Sequence, residues 1–365
     1  MKKNTIRTKS IHSANQAGKT HRGEQDPESD QKDLQINITE VGDHKEVDMI
    51  DGSWILIAFK NPNSFAIATT FKALKVIDDN IQVYYKKPPN KGVLYDIIYI
   101  DHLDCYFLYY FTTIFRKDID GGAPYPFLDL PSSGSRLAAS MVYSKLNQRL
   151  FIVKDKSTLV VVDLERKSDE ISIRHQKTSC SIENFGLVGQ KENKIVCLMK
   201  SRLIYLYSFS AQLKKICSKF KYEIEGKRGR DGHNSSLAVS EDGRHILVER
   251  VDSRLAKCSR LLLFGVKGRL LIRLATLDEK DRRIDFRRTL CFWGGIAGHV
   301  LFFGVDPERG FIHLYDFDRE SRELRELGEK GVVSQEEGIW RFERVESKLY
   351  CICLNGKVMV LSLSI

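Results

Sequence analysis

Residues 149–165 read RLFIVKDKSTLVVVDLE, a strand-like apolar run followed by a short polar break and a second strand-like run. Side chains alternate between the two faces of a β-strand, and turn-forming residues between two β-rich runs indicate a hairpin. Closely similar stretches occur six more times along the 365 residues. This repetition indicates a fold that is built from one repeated structural unit.

The second strand of each repeat is the clearest part of the unit. Its seven copies are FAIATTF (65–71), CYFLYYF (105–111), RLFIVKD (149–155), KIVCLMK (194–200), HILVERV (245–251), HVLFFGV (299–305) and KLYCICL (348–354). Successive copies begin 40, 44, 45, 51, 54 and 49 residues apart. A period of this length is typical of the blades of a β-propeller.

Other strand-like runs surround each copy. An apolar run that ends in a polar turn precedes it, as in LAVSEDGR (237–244), and a third strand follows, as in LVVVDLE (159–165). A more polar fourth run often comes next, as in LIRLATL (271–277). Blades that pack against one another need apolar inner strands and a polar outer one. We therefore predict an all-β fold, a seven-bladed β-propeller of four-stranded blades.

The two ends of the chain complete this prediction. The last unit (338–365) has only three strands, and LQINITE (34–40) stands alone before the first unit, so an N-terminal strand is expected to close the last blade. Residues 34–365 then form a single propeller domain, and residues 1–33 form a disordered basic tail. A mitochondrial transit peptide is the alternative for this tail, since its first 23 residues hold six Lys or Arg and no acid.

The repeats resemble degenerate WD repeats. Val162–Asp163 and Tyr315–Asp316 end their third strands where that family carries Trp-Asp, and LAVSEDGRHILV (237–248) is similar to the family's first hairpin, with its Asp-Gly turn. The other units depart from the motif. The resemblance implies the propeller fold and leaves the function open, because fold and function separate easily.

Positive charge is concentrated in one part of the chain. The formal net charge is +10, and residues 200–290 hold 22 Lys or Arg against 11 Asp or Glu, whereas the remainder holds 36 against 37. We call residues 200–290 the basic sector, which covers parts of blades 4–6. Such a field attracts anions, although it also aids solubility. Our candidate binding residues in its loops are Lys214, Lys215, Lys227, Arg228 and Arg230.

A second candidate lies in DFRRTLCFW (285–293). Its Phe286–Arg287–Arg288 resembles the Phe-Arg-Arg-Gly motif of the phosphoinositide-binding propellers of the PROPPIN family, although Thr289 replaces the glycine. In that family the two arginines serve two headgroup sites, and guanidinium groups pair well with phosphate. The resemblance implies these roles for Arg287 and Arg288.

Motifs of the common enzyme classes are absent from the sequence, which contains no GxSxG, GxxxxGK[ST] or HExxH pattern. Its 8 cysteines show no CxxC or zinc spacing, so we interpret them as space-filling thiols in a reducing, cytoplasmic compartment. DIDGG (118–122) begins like a calcium loop but lacks the remaining ligands. We predict no cofactor, no metal and no enzyme activity; an active site shared by several blades is the alternative.

We therefore expect a protein-interaction scaffold whose basic sector binds an acidic partner surface. The alternative is a peripheral membrane protein that binds phosphoinositides through Arg287 and Arg288. A nucleic-acid-associated propeller is a weaker alternative, because nucleic-acid binders interleave stacking aromatics on the basic face. Here only Phe220 and Tyr222 lie near, in the alternation typical of strand packing. The sequence leaves the oligomeric state open.

Overall fold

The computed structural model describes most of the chain between residues 37 and 364. The described residues are 37–40, 45–46, 55–61, 64–69, 73–78, 81–86, 94–110, 112–119, 122–130, 140–154, 157–164, 168–174, 181–199, 203–210, 216–224, 232–252, 259–279, 290–296, 298–306, 310–331, 339–345, 348–353 and 357–364. Within them, no helix is long and apolar enough to cross a membrane. The tail predicted for residues 1–33 lies outside them.

Almost all secondary structure in the described residues is β-strand, apart from one 3-10 turn at Asp101–Leu103. The strands are β1 (Asn37–Glu40), β2 (Lys45–Glu46), β3 (Ile55–Asn61), β4 (Ser64–Thr69), β5 (Ala73–Asp78), β6 (Ile81–Lys86), β7 (Leu94–Ile100), β8 (Cys105–Tyr110), β9 (Thr113–Asp118), β10 (Tyr125–Asp129), β11 (Ser140–Ser144), β12 (Arg149–Lys154), β13 (Thr158–Asp163), β14 (Ser168–Arg174), β15 (Ile182–Val188), β16 (Lys194–Met199), β17 (Leu203–Phe209), β18 (Ile216–Glu223), β19 (Gly232–Val239), β20 (His245–Asp252), β21 (Ser259–Lys267), β22 (Leu270–Glu279), β23 (Leu290–Ile296), β24 (His299–Asp306), β25 (Phe311–Asp318), β26 (Glu323–Gly331), β27 (Ile339–Val345), β28 (Lys348–Cys353) and β29 (Lys357–Ser364). The all-β prediction is confirmed.

These strands form antiparallel sheets, which we number in chain order. Sheets 1 to 6 each hold four consecutive strands paired in sequence: β3–β6, β7–β10, β11–β14, β15–β18, β19–β22 and β23–β26. Sheet 7 holds β27, β28 and β29, and the N-terminal β1 pairs with the outer side of β29, with Asn37 opposite Ser364 and Glu40 opposite Leu361. The short strand β2 also pairs with β29.

Neighbouring sheets meet through their first strands. Each first strand contacts the first strand of the next sheet, in the order β3, β7, β11, β15, β19, β23 and β27, and β27 in turn contacts β3. The first strand therefore lies innermost in each sheet, and the fourth strand lies at the opposite edge. This explains why the fourth strands are the more polar ones in sequence.

The core lies between the sheets, as β12 shows. Leu150 and Ile152 pack in one cluster with Phe107 of sheet 2, whereas Phe151 packs in another with Cys197 of sheet 4. Alternating side chains of one strand thus serve two cores, so an inner strand is apolar on both faces. Each such aliphatic side chain stabilises the fold by about 1.5–3 kcal/mol relative to exposure.

The two Asp residues at the WD-like positions are buried and paired. Asp163 is 2% exposed, and its carboxylate lies 3.1 Å from the guanidinium of Arg149, its cross-strand neighbour on β12. Asp316 is fully buried and lies 3.0 Å from Nδ1 of His299 and 3.2 Å from Arg325. Both carboxylates therefore hold strands of one sheet together.

The described cysteines are free thiols, of which Cys105, Cys197, Cys351 and Cys353 are buried and Cys217 is exposed. Burial raises the pKa of Cys105 to about 12, and it also raises the pKa values of Cys197 and Cys351. Such thiols stay protonated and unreactive at neutral pH. The burial of these four agrees with the space-filling interpretation.

Candidate partner-binding surfaces

The loop residues predicted from sequence to bind anions lie outside the described residues. They are Lys214, Lys215, Lys227, Arg228, Arg230, Arg287 and Arg288. The structure does describe the strands of sheets 4 and 5, which lie between these loops. The exposed cations of these strands are therefore the part of the basic sector whose positions can be examined.

On sheet 4, the outer strand β18 carries exposed cations on one face. Lys219 and Lys221 are exposed, and the ammonium of Lys219 lies 4.4 Å from the ring centroid of Tyr205. Phe220 and Tyr222 face the other way and pack against the core shared with sheet 5, where Tyr222 meets Phe264 edge to face. The strand-packing interpretation of these two aromatics is therefore confirmed, and they offer no stacking platform.

On sheet 5, the β21–β22 hairpin combines cations with exposed apolar side chains. Lys267, Arg269 and Arg273 are exposed, as are Leu270 at 50% and Ile272 at 42%. Lys267 and Leu270 are directly opposite in the antiparallel register, so they share a face with Ile272. The turn needs Gly268, whose φ of +59° lies in the left-handed region.

We give the name basic rim to the exposed groups of the neighbouring outer strands β18 and β22 and of the turn between β21 and β22. Its members are Ile216, Lys219, Lys221, Lys267, Arg269, Leu270, Ile272 and Arg273. Three of the five exposed large hydrophobic residues in the described part of the chain belong to it. Single exposed apolar residues are ordinary, but a group of them among cations is a feature of binding surfaces.

A second surface is made by the turns between the first and second strands, which contact one another from sheet to sheet. Tyr143 in sheet 3 shares a hydrogen bond of 2.5 Å with Nδ1 of His102 in sheet 2, and their rings stack. Farther along, the amide of Gly189 in sheet 4 donates to the carbonyl of Gly243 in sheet 5 at 2.8 Å. We call this row of turns the hairpin face.

Where sheets 3 and 4 meet, the hairpin face carries an exposed leucine, Leu146. Glu192 of sheet 4 accepts hydrogen bonds from the hydroxyl of Ser144 at 2.7 Å and from the amide of Leu146 at 3.1 Å. The side-chain amide of Asn147 donates to the carbonyl of Lys191 at 2.9 Å. The turn is thereby fixed to the neighbouring sheet while the Leu146 side chain is 65% exposed.

A cleft adjoins this leucine. Its volume is about 260 Å³, and it is lined by Leu146, Asn147, Gln190, Lys191 and Asn193. Sequence reasoning missed this site, because residues 140–148 show only the apolar run and polar turn that precede each copy of the second strand. Glu192, which orders the turn, lies 48 residues from Ser144 in the sequence and within another repeat.

At sheet 2, the hairpin face carries a coupled group of polar side chains. Asp104 lies 2.8 Å from the ammonium of Lys60 and accepts a hydrogen bond of 2.5 Å from the hydroxyl of Tyr99. The Lys60 contact, followed by that of Tyr99, holds the pKa of Asp104 below its usual value. Burial, together with the bond to Asp104, raises the pKa of Tyr99, so this hydroxyl remains a donor at physiological pH.

His313, Glu326 and Glu329 form a cluster that could hold a metal ion, because one ligand atom from each lies within 4.8 Å of the others. Nδ1 of the buried His313 lies 2.9 Å from Glu326 and 3.5 Å from Glu329. A hydrogen bond from imidazole to carboxylate accounts for the shorter distance. At the calcium-like DIDGG stretch, Asp118 instead accepts from Arg116 at 2.6 Å and Tyr125 at 3.0 Å.

Sequence comparison assigns no family: no family model matches the chain, and no curated protein matches it. Solved structures do match. The WD40 domain of Toxoplasma gondii coronin has a TM-score of 0.63 at 9% identity, over 90% of this chain and 86% of that one. BBS1N in complex with ARL6DN has a TM-score of 0.60 at 9% identity, over 90% of this chain and 97% of that one.

The Mitotic Checkpoint Complex also contains a similar chain, with a TM-score of 0.63 at 7% identity, over 96% of this chain and 99% of that one. At such low identities these likenesses show the fold alone. The chain is therefore similar to WD40 domains and other propeller proteins, as its degenerate repeats predict.

Proposed function

We propose that this chain is a seven-bladed, WD40-like propeller that acts as a non-enzymatic scaffold for a protein partner with an acidic surface. The seven sheets are the blades in this proposal, and the N-terminal strand β1 closes the last one. Two observations support closure: β1 pairs with β29, and β27 contacts β3. A ring closed by both ends of the chain is rigid, as a scaffold requires.

The observation that carries the proposed partner site is the composition of the basic rim. Leu270 and Ile272 are exposed beside Lys267, Arg269 and Arg273 on a single hairpin. Apolar side chains supply buried area when a partner docks, and the surrounding cations select an acidic surface and steer its approach. Two of the similar solved structures, BBS1N with ARL6DN and the Mitotic Checkpoint Complex, are complexes, which supports a protein partner.

Charge reversal at the rim tests the proposal. A tagged chain with Lys267→Glu and Arg269→Glu is compared with wild type by affinity capture and quantitative mass spectrometry. We expect wild type to recover a defined acidic partner and the variant to lose at least about tenfold of it, since like-charge contacts at an interface cost several kcal/mol.

The matched control is Arg319→Glu with Arg322→Glu. These two exposed arginines lie in the turn between the third and fourth strands of sheet 6, so the charge change is the same and the turn corresponds to that of the rim in sheet 5. A partner recovered equally by both variants would place binding elsewhere. Reproducible capture of no partner at all would contradict the scaffold proposal.

The phosphoinositide alternative depends on Arg287 and Arg288, which lie outside the described residues, so it stays a sequence prediction. Flotation with vesicles of phosphatidylcholine and phosphatidylinositol phosphates tests it, with Arg287→Thr and Arg288→Thr as the variant. If the wild-type chain does not float with these vesicles, the alternative is wrong. Steep loss of affinity for RNA or DNA with added salt would instead indicate nucleic-acid binding.

A further inference from the structure

Leu146 is the most exposed large hydrophobic side chain in the described part of the chain, at 65%. It lies on the hairpin face, in the turn between the first two strands of sheet 3, whereas the basic rim belongs to sheets 4 and 5. An exposed leucine does not contribute to the folded core, and solvent contact with its side chain is unfavourable. What distinguishes Leu146 from a chance surface leucine is the framework that fixes its backbone.

Bonds within and between sheets order this turn on both sides of Leu146. Glu192 binds the residue itself through its amide and also holds Ser144, and Asn147 is bound to the backbone of sheet 4. On the β12 side of the turn, the guanidinium of Arg149 donates to the carbonyl of Asn147 at 3.2 Å and is itself paired with the buried Asp163. A side chain presented from a fixed backbone loses little further freedom when a partner binds, and this favours affinity.

The size of the cleft beside Leu146 selects the kind of ligand. Sites for small molecules and cofactors usually have volumes of roughly 300–1,000 Å³. At about 260 Å³, this open cleft is smaller than that range. It suits one or two side chains of a peptide segment, and the side-chain amides of Gln190 and Asn193 in its lining can bond to a peptide backbone.

The charges around the cleft favour an acidic segment. Lys191 is exposed in the lining, and Lys145, whose side chain is 71% exposed, lies directly before Leu146. The carboxylate of Glu192 lies nearby, and its Oε2 accepts the hydrogen bonds from Ser144 and Leu146. Asp101 lies 3.3 Å from Lys145, but both groups are exposed, so this ion pair is weak and yields easily to a competing carboxylate.

We propose that the Leu146 turn and its cleft bind a short acidic segment of a protein partner. The segment packs an apolar side chain against Leu146 and places carboxylates near Lys145 and Lys191. This site is separate from the basic rim and shares with the proposed function only the premise that the partner is a protein. Its residues belong to sheets 3 and 4, so the intact pair of sheets is required.

A defined peptide tests the site directly. The probe is an acetylated, amidated hexapeptide with two leucines at its centre and two acidic residues on each side, titrated into the full chain carrying ¹³C-methyl leucine. We expect the Leu146 methyl signals to shift with saturation while those of Leu270 do not. Leu146→Ala should weaken binding at least about fivefold, which is about 1 kcal/mol, and Leu146→Asp should abolish it.

Two controls distinguish binding at this site from binding at the basic rim and from non-specific binding. Leu270→Asp, which changes an exposed leucine of the basic rim in the same way, should bind the hexapeptide like wild type. A peptide with lysines in place of the acidic residues should bind at least about tenfold more weakly, and Lys191→Glu should reproduce that loss with the acidic probe.

Three results would overturn the inference. One is the absence of Leu146 methyl shifts at millimolar peptide. Another is binding that survives Leu146→Asp. The third is sedimentation showing a dimer of wild type that Leu146→Asp dissociates, because the occupant would then be a second copy of this chain. The capture experiment with the rim variants tests only the proposed function. Its result does not bear on the Leu146 site, which the hexapeptide titration tests.

Discussion

The basic rim and the Leu146 turn are both exposed and both offer apolar groups beside cations, but they are built differently. On the rim, Lys267, Arg269 and Leu270 lie at the end of the β21–β22 hairpin. At the Leu146 turn of sheet 3, the amide of Leu146 donates to Glu192 of sheet 4, and the side-chain amide of Asn147 donates to the carbonyl of Lys191 of sheet 4. The rim is a charged zone, whereas the turn is a preorganised site.

The difference follows from where each region lies in the fold. An outer strand pairs with one other strand of its own sheet. The turns of the first hairpins lie near the inner strands, where successive sheets come into contact and can exchange hydrogen bonds. Preorganisation is therefore expected on the hairpin face, and long-range attraction is expected at the rim.

Removing the carboxylate beneath the Leu146 turn should have the largest effect. Asp163→Ala leaves the Arg149 guanidinium, 18% exposed, without its buried partner, and loss of one member of such a pair costs about 3 kcal/mol. Denaturant unfolding should show this as a lower midpoint at unchanged slope. Because Arg149 also donates to the carbonyls of Asn147 and Gln148, the peptide affinity of the Leu146 cleft should fall as well.

The control for this change is Asp101→Ala, which removes an exposed ion pair with Lys145. Its effect on the free energy of unfolding should stay within about 0.5 kcal/mol, as for most surface substitutions. Equal losses from the two variants would show that the Arg149–Asp163 pair does not support the turn.

A smaller effect is expected from Glu192→Ala. The substitution removes the acceptor for the Ser144 hydroxyl and the Leu146 amide, so stability should fall by about 1–2 kcal/mol. Hydrogen exchange should accelerate at the Leu146 amide and remain unchanged in β18. Glu192→Gln keeps one acceptor oxygen and should show roughly half the effect; unchanged exchange in the alanine variant would remove the argument for a preorganised turn.

The strands could be predicted from the sequence because they depend on local patterns. FIHLYDF (311–317) is a mostly apolar run, and it forms β25, with Tyr315 and Phe317 in a core shared with sheet 5. The pairing of residues 37–40 with the end of the chain could also be inferred, because the last unit lacked one strand. Such inferences need only strand periodicity and a count of the strands in each unit.

The sites could be predicted only in part. A sum of charges located the basic sector, and Lys267, Arg269 and Arg273 lie within it, but no pattern distinguished them from the loop lysines. The exposure of Leu270 follows from an outer-strand position that periodicity alone does not assign. The Leu146 turn could not be predicted, because its order depends on Glu192, a residue of another repeat.

Acid should weaken the hairpin face slightly through His245. Burial, only partly offset by Asp242, lowers the pKa of this imidazole below its usual value of about 6.5. The unfolded chain therefore binds the proton more readily than the folded chain. The free energy of unfolding is highest above pH 6.5, the approximate pKa in the unfolded chain, and it declines as the pH falls from there toward the lower pKa of the folded chain. Thermal unfolding of His245→Asn should show a smaller decrease between pH 7.5 and 5.5 than wild type, and parallel pH curves would contradict this.

The smallest change in stability is expected at the rim itself. Leu270→Ser with Ile272→Ser replaces side chains that are 50% and 42% exposed, so the free energy of unfolding should change by less than about 0.5 kcal/mol. Partner capture should nevertheless fall severalfold, because these side chains offer apolar area to a partner rather than to the core. Denaturant unfolding and capture are measured on the same preparation. A large stability loss would mean that the rim is part of the folded core, and the contrast with the Leu146 turn would then disappear.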